Sequence, residues 1–277
     1  TNEIVLEMAK AAIKCTGYKN LCLAGGVALN CVSNANLLES GIFTGIYIQP
    51  AAGDSGGALG AALAISYNYF KQQRTVIDTD PMHGALLGPE YSRSDILHLL
   101  LKSTLEYEQL DNSDVLVAKV AQLIDEGKII GWFQGRMEFG PRALGSRSIL
   151  ADARSTNIQD YINEHIKFRE SFRPFGASVL SDDAKDIFSV NVHSPYMLYV
   201  FPVKDHFLIK NQKNKPAAKC GPVSLFDSIT HIDNSSRIQI VDQTTNPLFF
   251  ALLREIKKRT GYGIVLNTSF NSKDEPM

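Results

Sequence analysis

The sequence predicts an α/β unit followed by a larger α+β unit, and three observations carry that expectation. Residues 1 to about 72 alternate helix, strand, helix, strand, helix, which is the order of a parallel layer. The stretch 73–90 loses apolar periodicity and gathers Pro81, Gly84, Gly88 and Pro89, as inter-domain linkers do. From 91 to 277 strands and helices follow without strict alternation. The 277 residues are 44% hydrophobic and 21% charged with a formal net charge of -1, which excludes disorder and fibres. So small a net charge gives no global pull on nucleic acid or an anionic membrane, so any anion site must be local.

In the first unit, Ile4, Leu6, Met8 and Ile13 recur along one amphipathic helix. NLCLAGG and GIYIQPAAGDSGG each give a short apolar strand running into glycines; the second leads into a small-residue helix able to pack very closely. In the second unit SDILHLLLKS opens at an N-cap Ser94 or Asp95, and SDVLVAKVAQLIDEGK is a helix capped by Ser113 or Asp114 and stopped by Gly127, on the usual capping preferences. Strands are expected at IIGWF, SILA, ASVL, YMLYVFPV and GIVLN, with helices near 155–165 and 246–259. The lysine-rich KDHFLIKNQKNKPAAKCG reads as a solvated excursion, with a substrate lid as the alternative.

No apolar run approaches the roughly 18 to 20 residues of a transmembrane helix, and the N-terminus has neither region of a signal peptide, so no membrane association and a cytoplasmic location are expected. Cys15, Cys22, Cys31 and Cys220 show no CxxC spacing; the first three lie on or beside segments that read as buried, which favours reduced structural thiols. The chain opens without Met inside a helical pattern and stops at NTSFNSKDEPM, which reads as a fragment.

Four constellations carry possible chemistry. Gly25 and Gly26 end a strand ahead of a helix, a place where backbone amides can face a phosphate or an adenosine, or simply a tight turn. Asp54 stands before a helix, as a cap or as a metal ligand. In GWFQGRMEFGPRALGSRS, Arg136, Arg142 and Arg147 share a glycine-rich stretch with Glu138 as its only acid; guanidinium forks on such a backbone suit phosphate oxygens, and surface arginines on a loop are the plain alternative. KFRESFRPF sets Lys167, Arg169 and Arg173 against an apolar run, and its expected partner is LNTSFNSKDEP, where Ser269 and Asn271 offer a hydroxyl and an amide.

Taken together, LCLAGGVALN, QPAAGDSGGALGAAL, GWFQGRMEFGPRALGSRSILADAR, FRPFGASVL and VLNTSFN resemble the nodulation-type O-carbamoyltransferases. The resemblance spans nearly the whole chain. It implies the C-terminal portion of an actin-like, ASKHA-type carbamoyl-transfer domain over 1–72, a linker over 73–90, and a YrdC-like domain over 91–277 that forms carbamoyl adenylate from ATP and carbamoyl phosphate. The carbamoyl group would then pass to a hydroxyl of a small-molecule acceptor such as a sugar or antibiotic. It further implies that Lys167, Arg169, Arg173, Ser269 and Asn271 bind carbamoyl phosphate and ATP with its Mg²⁺, while Gly25, Gly26 and Asn30 meet the adenylate. Asp54 would ligate a divalent metal, Fe²⁺ by the resemblance, with histidines from a segment outside this sequence. The chain departs from the YrdC pattern at Lys273 and Asp274, where Ser-Gly is usual. The alternatives are a YrdC-like nucleotide or RNA-binding module and threonylcarbamoyl-type transfer to tRNA; the near-neutral charge makes nucleic acid the weaker expectation.

Overall fold

The computed structural model describes residues 1–76, 79–209, 223–273 and 275–276. Most of the lysine-rich excursion, Cys220 and Asp274 lie outside the described residues. The whole is a mixed α/β structure.

Helix α1 (Asn2–Thr16) ends at Gly17 in the left-handed region. It packs Leu6, Ala9 and Ile13 against Leu37 and Phe43, whereas Ile4 and Met8 from the expected apolar stripe are exposed. Strands β1 (Asn20–Leu23) and β2 (Gly45–Ile48) pair in parallel, as the alternation required. The helix expected directly after Gly25-Gly26 is displaced: a 3-10 turn fills Gly26–Leu29, and α2 (Cys31–Glu39) starts only when the Asn30 side chain accepts from the amides of Val32 and Ser33. Helix α3 (Asp54–Ala64) has no buried residue, so the close packing expected of it is not seen. Cys15 and Cys22 are also exposed rather than buried, because they occupy the outer faces of α1 and β1.

The expected linker is fastened at its C-terminal end. Asp80 accepts from the amides of Met82 and Gly84 and from the Tyr196 hydroxyl, and Met82 and Ala85 are buried. Helix α4 (Arg93–Lys102) is capped by Ser92 with Asp95 as the reciprocal partner, and α5 (Ser113–Asp125) by Asn112. Each cap therefore precedes the residue expected for it, because Ser92 and Asn112 hold extended dihedrals from which their oxygens reach the first free amides.

Strands β3 (Ile130–Phe133), β4 (Arg147–Asp152), β5 (Gly176–Leu180), β6 (Val200–Pro202), β9 (Ser235–Val241) and β10 (Ile264–Ser269) form a six-stranded sheet in the order β3-β4-β10-β5-β9-β6. Only β5 and β9 run parallel. Strands β7 (Leu208–Ile209) and β8 (Val223–Ser224) make a separate short pair. Helix α6 (Ile158–Tyr161) runs into a π-turn over Ile162–Ile166, α7 (Ser181–Ile187) follows β5, and α8 (Pro247–Thr260) precedes β10. The strand expected over YMLYVFPV shrinks to β6 because Met197 takes a positive φ that extended pairing does not admit.

One face of the sheet buries Trp132, Leu150, Leu180, Val241 and Val265 under α5 and α8. The other buries Ala151, Ala177, Val179, Ile238 and Leu266 in a core that also takes in Ala28, Ile48, Ala52 and Met82. Asn34 of α2, itself buried, donates to the Leu198 carbonyl at 2.9 Å. The first unit thus packs directly on the second.

Candidate anion site at the sheet end

Beyond α5 and α8, the same sheet face turns polar. Register places Arg237 of β9, Gly176 of β5 and Asn267 of β10 side by side, with Ser269 two residues further along β10 and therefore on the same face. A methyl at Gly176 would stand 3.0 Å from Met197 Sδ and 3.2 Å from Arg237 Nε, so the glycine leaves the room in which that guanidinium lies.

The floor of this region is a side-chain relay across three strands. Ser178 donates to Gln239 at 2.7 Å, and Asn267 donates to Ser178 at 2.9 Å and to the Ala143 carbonyl at 3.2 Å. Gln239 donates to the Leu144 carbonyl at 2.9 Å. From beneath, buried Glu138 accepts the amides of Leu144, Ser146 and Arg147. The glycine-arginine loop is therefore clamped on both sides, and Arg142 emerges from it in a fixed direction, with Nη2 on the Leu29 carbonyl at 3.0 Å.

The second loop is wound around a single buried amide. Asn163, fully enclosed on the π-turn, donates to the carbonyls of Ser171 and Arg173 at 2.9 Å each and accepts from Arg169 Nε at 2.7 Å. The Arg169 guanidinium also covers the Phe175 ring at 4.8 Å. Lys167 Nζ crosses to the end of β10, reaching the Ser269 carbonyl at 2.5 Å, Ser269 Oγ at 3.2 Å, the Asn271 carbonyl at 2.7 Å and Asn271 Oδ1 at 3.0 Å. The expected pairing of KFRESFRPF with LNTSFN is made through Lys167, while Arg169 turns to Asn163.

Cationic charge accumulates here, with Glu170 beside Arg169 and Arg173 offsetting part of it. Burial first, then Arg169, lowers Lys167 to about 8. Burial and the neighbouring Arg173 hold Arg169 below its ordinary value, and burial followed by Arg142 does the same for Arg237. Desolvation also lowers Arg142. The Nε atoms of Arg142 and Arg237 are sealed from water without a hydrogen-bond partner. Buried donors of this kind are costly unless an acceptor arrives, and an acceptor with several negative oxygens suits the set.

The remaining expected residues fall elsewhere or serve other ends. Arg136 is half-exposed, reaching the Gly88 carbonyl at 3.2 Å and Glu90 at 3.6 Å. Arg147 turns to the carbonyls of Gln134, Gly135, Ser146 and Pro89 and lies 3.6 Å over the Phe133 ring, so it braces the loop and does not join the cluster. Arg173 pairs with Glu170 at 2.8 Å near the surface. Gly25 takes φ 96° and donates to the Ala52 carbonyl at 2.7 Å, Gly26 starts the 3-10 turn, and Asn30 caps α2; these describe a tight strand-to-helix turn that ends at Leu29, the Arg142 contact. Asp54 is the first residue of α3 behind an N-cap Gly53 and makes no side-chain cap, so the capping alternative does not hold. Among the described residues no three His, Cys, Asp or Glu side chains gather as a metal site; Asp54 alone does not fit a metal, which needs several ligands together.

Arg237 is the residue that sequence reasoning missed. Its signal was the alternation in SRIQIV, polar on one face and apolar on the other, which marks a half-buried strand. A cleft of about 700 Å³ lies on the opposite face of β3 and β4, lined by Gly131, Ile149, Tyr161, His165 and Phe270. It contains none of the arginines, so the cation cluster remains the site on chemical grounds.

Residues 121–277 match the carbamoyltransferase C-terminus family, and residues 1–63 match the carbamoyltransferase N-terminus family. The chain belongs to the carbamoyltransferase family. It is 45% identical over its full length to an uncharacterised protein of Synechocystis sp., covering 46% of that protein. Nodulation protein NolO of Bradyrhizobium diazoefficiens is 38% identical over 99% of the chain and 47% of its own length. The 3'-hydroxymethylcephem-O-carbamoyltransferase of Streptomyces clavuligerus is 30% identical over 91% of the chain and 42% of its own length. The chain therefore spans about half the length of these family members, and their names support the nodulation-type branch that the motifs resemble.

Proposed function

We propose that this chain supplies the phosphate-handling part of an O-carbamoyltransferase, combining carbamoyl phosphate and ATP into carbamoyl adenylate for transfer to a small-molecule hydroxyl. In this reading 1–72 is the C-terminal portion of an actin-like domain and 91–277 a YrdC-like domain. The observation that carries it is the run of cations from Lys167, which holds the Ser269–Asn271 turn, through Arg169 to Arg237 and Arg142, with two buried guanidinium Nε atoms lacking an acceptor. Bound ATP and carbamoyl phosphate would supply acceptors, and the charge gained by departing pyrophosphate would meet cations already held in place, which costs no reorganisation. Arg142 and Arg237 would grip phosphoryl oxygens, Lys167 would hold the Ser269–Asn271 turn while adding charge, and Arg169, oriented by Asn163, would align the transferring end. Mg²⁺ would enter with ATP. Because Asp54 alone does not fit a metal, no step is assigned to one.

The test is carbamoyl-phosphate-dependent exchange of labelled pyrophosphate into ATP. Exchange is expected in the unmodified chain and should fall by about one to two decades in Lys167→Ala and Arg237→Met, the loss of a charge-assisted contact, with folding checked by circular dichroism. Exchange that ignores carbamoyl phosphate, or survives in both folded variants, rules the reading out. Preferential, strongly salt-dependent RNA binding at the same cations would favour a nucleic-acid module instead.

A further inference from the structure

Asn267 adds an unpaired acceptor to a site otherwise built of donors. Its side-chain nitrogen donates to the Ala143 carbonyl at 3.2 Å and to Ser178 Oγ at 2.9 Å. The Ser178 proton goes to Gln239, and Gln239 in turn donates to the Leu144 carbonyl. Turning the Asn267 amide over would set its oxygen against the Ala143 carbonyl, so the partners fix its orientation. Asn267 Oδ1 is then sealed from water with no hydrogen-bond partner, in a residue only 1% exposed. Asn267 and Arg237 pair with Gly176 from its two sides. Arg237 Nε, also without a partner, lies 3.2 Å from where a methyl at Gly176 would stand. The two heteroatoms of a planar amide diverge, so with the nitrogen held at Ser178 the oxygen faces the Gly176 end, where the guanidinium lies. An acceptor and a donor thus flank one glycine without bonding each other.

We infer that Asn267 is a specificity-determining contact: its oxygen accepts an N–H from the carbamoyl amide while Arg237 and Arg142 hold phosphoryl oxygens of the same molecule. The inference rests on the proposed function and names the part of carbamoyl phosphate that the cations cannot read. Guanidinium groups bind any anionic oxygen and do not tell carbamoyl phosphate from acetyl phosphate, which carries a methyl in place of the amino group. A buried acceptor left unpaired beneath that methyl is costly, so the site rejects it. Pyrophosphate has no N–H to offer. The adenine amino group of ATP has one, but a ribose separates it from the phosphates. In carbamoyl phosphate only a carbon and an oxygen stand between the amide nitrogen and the phosphorus, which suits a donor and an acceptor that are neighbours across Gly176.

The experiment compares phosphonoacetamide with acetonylphosphonate, two stable phosphonates that differ only in an amino or a methyl group on the same carbonyl. Calorimetry on the folded chain is expected to show the amide binding at least about tenfold more tightly. Equal affinities overturn the inference even where carbamoyl-phosphate-dependent exchange proceeds. Asn267→Leu and Asn267→Asp both remove the donors to Ala143 and Ser178, but only the second keeps an acceptor. The preference is therefore expected to vanish in Asn267→Leu and to survive in Asn267→Asp, whose added negative charge weakens both ligands alike. A preference kept in folded Asn267→Leu, or lost in both folded variants, shows that Asn267 only supports the floor of the site and overturns the inference. Where neither variant folds, the preference of the unmodified chain decides. Failure of both phosphonates to bind a chain that binds pyrophosphate overturns the inference alone; failure of pyrophosphate as well counts against the proposed function and takes the inference with it.

Discussion

Lys167 is the residue whose chemistry is most exposed to test. Its ammonium is buried among neutral oxygens beside Arg169, and its folded value of about 8 lies below that of a free lysine. The site therefore holds its full charge below pH 8 and loses one cation as pH rises through 8. Pyrophosphate affinity, measured by calorimetry, should fall by roughly tenfold or more between pH 7 and pH 9.5, and Lys167→Arg should flatten that profile because arginine stays charged. Stability should move the other way. The unfolded chain keeps this proton up to about pH 10.4, so the cost of burying the charge is full below pH 8 and is relieved across the window from 8 to about 10.4. A pyrophosphate profile flat across pH 8 in the unmodified chain would contradict this role for Lys167.

At the scale of elements, the aim of the cations depends on neutral amides rather than on the cations themselves. Asn163 holds the second loop by three contacts and Gln239 holds the first through the Leu144 carbonyl. Asn163→Ala should cost about 1 to 3 kcal/mol in urea unfolding by leaving buried loop carbonyls unpaired, and it should weaken pyrophosphate binding although no charge is removed. Gly176→Ala should act through space: its methyl would press on Met197 and Arg237, an overpacking worth roughly 1 to 3 kcal/mol, with loss of anion affinity. Wild-type affinity in both variants would mean that Arg169 and Arg237 do not need these supports.

Across the whole molecule, a cluster of like charges drawn from one sheet strand and two loops leaves the unliganded protein with a repulsion that an anion removes. Pyrophosphate should therefore raise the thermal midpoint, by a stabilisation of about 2.7 kcal/mol at a hundred times its Kd, and sodium chloride at equal ionic strength should do much less. No shift with saturating pyrophosphate would show that the cluster does not bind it. Because Arg142 leans on Leu29 and Asn34 on Leu198, the same ligand should protect amides of α2 as well as those of the sheet from hydrogen exchange.

What the sequence determined by itself was local: the order of helices and strands in the first unit, the parallel pairing of β1 and β2, the loops that carry Lys167, Arg169 and Arg142, and the motifs that resemble the family; β9 and α7 were not among the expected elements. Periodicity and glycine placement are properties of neighbouring residues, so they survive in one dimension. Tertiary structure decided which cations meet. Arg136 and Arg147 share a loop with Arg142, yet one faces solvent and the other is consumed by four carbonyls. Arg237 lies far along the chain and enters the cluster only because β9 pairs in register with β5. No spacing encodes that meeting, since register and burial are set by which apolar faces are covered and those partners are distant in sequence.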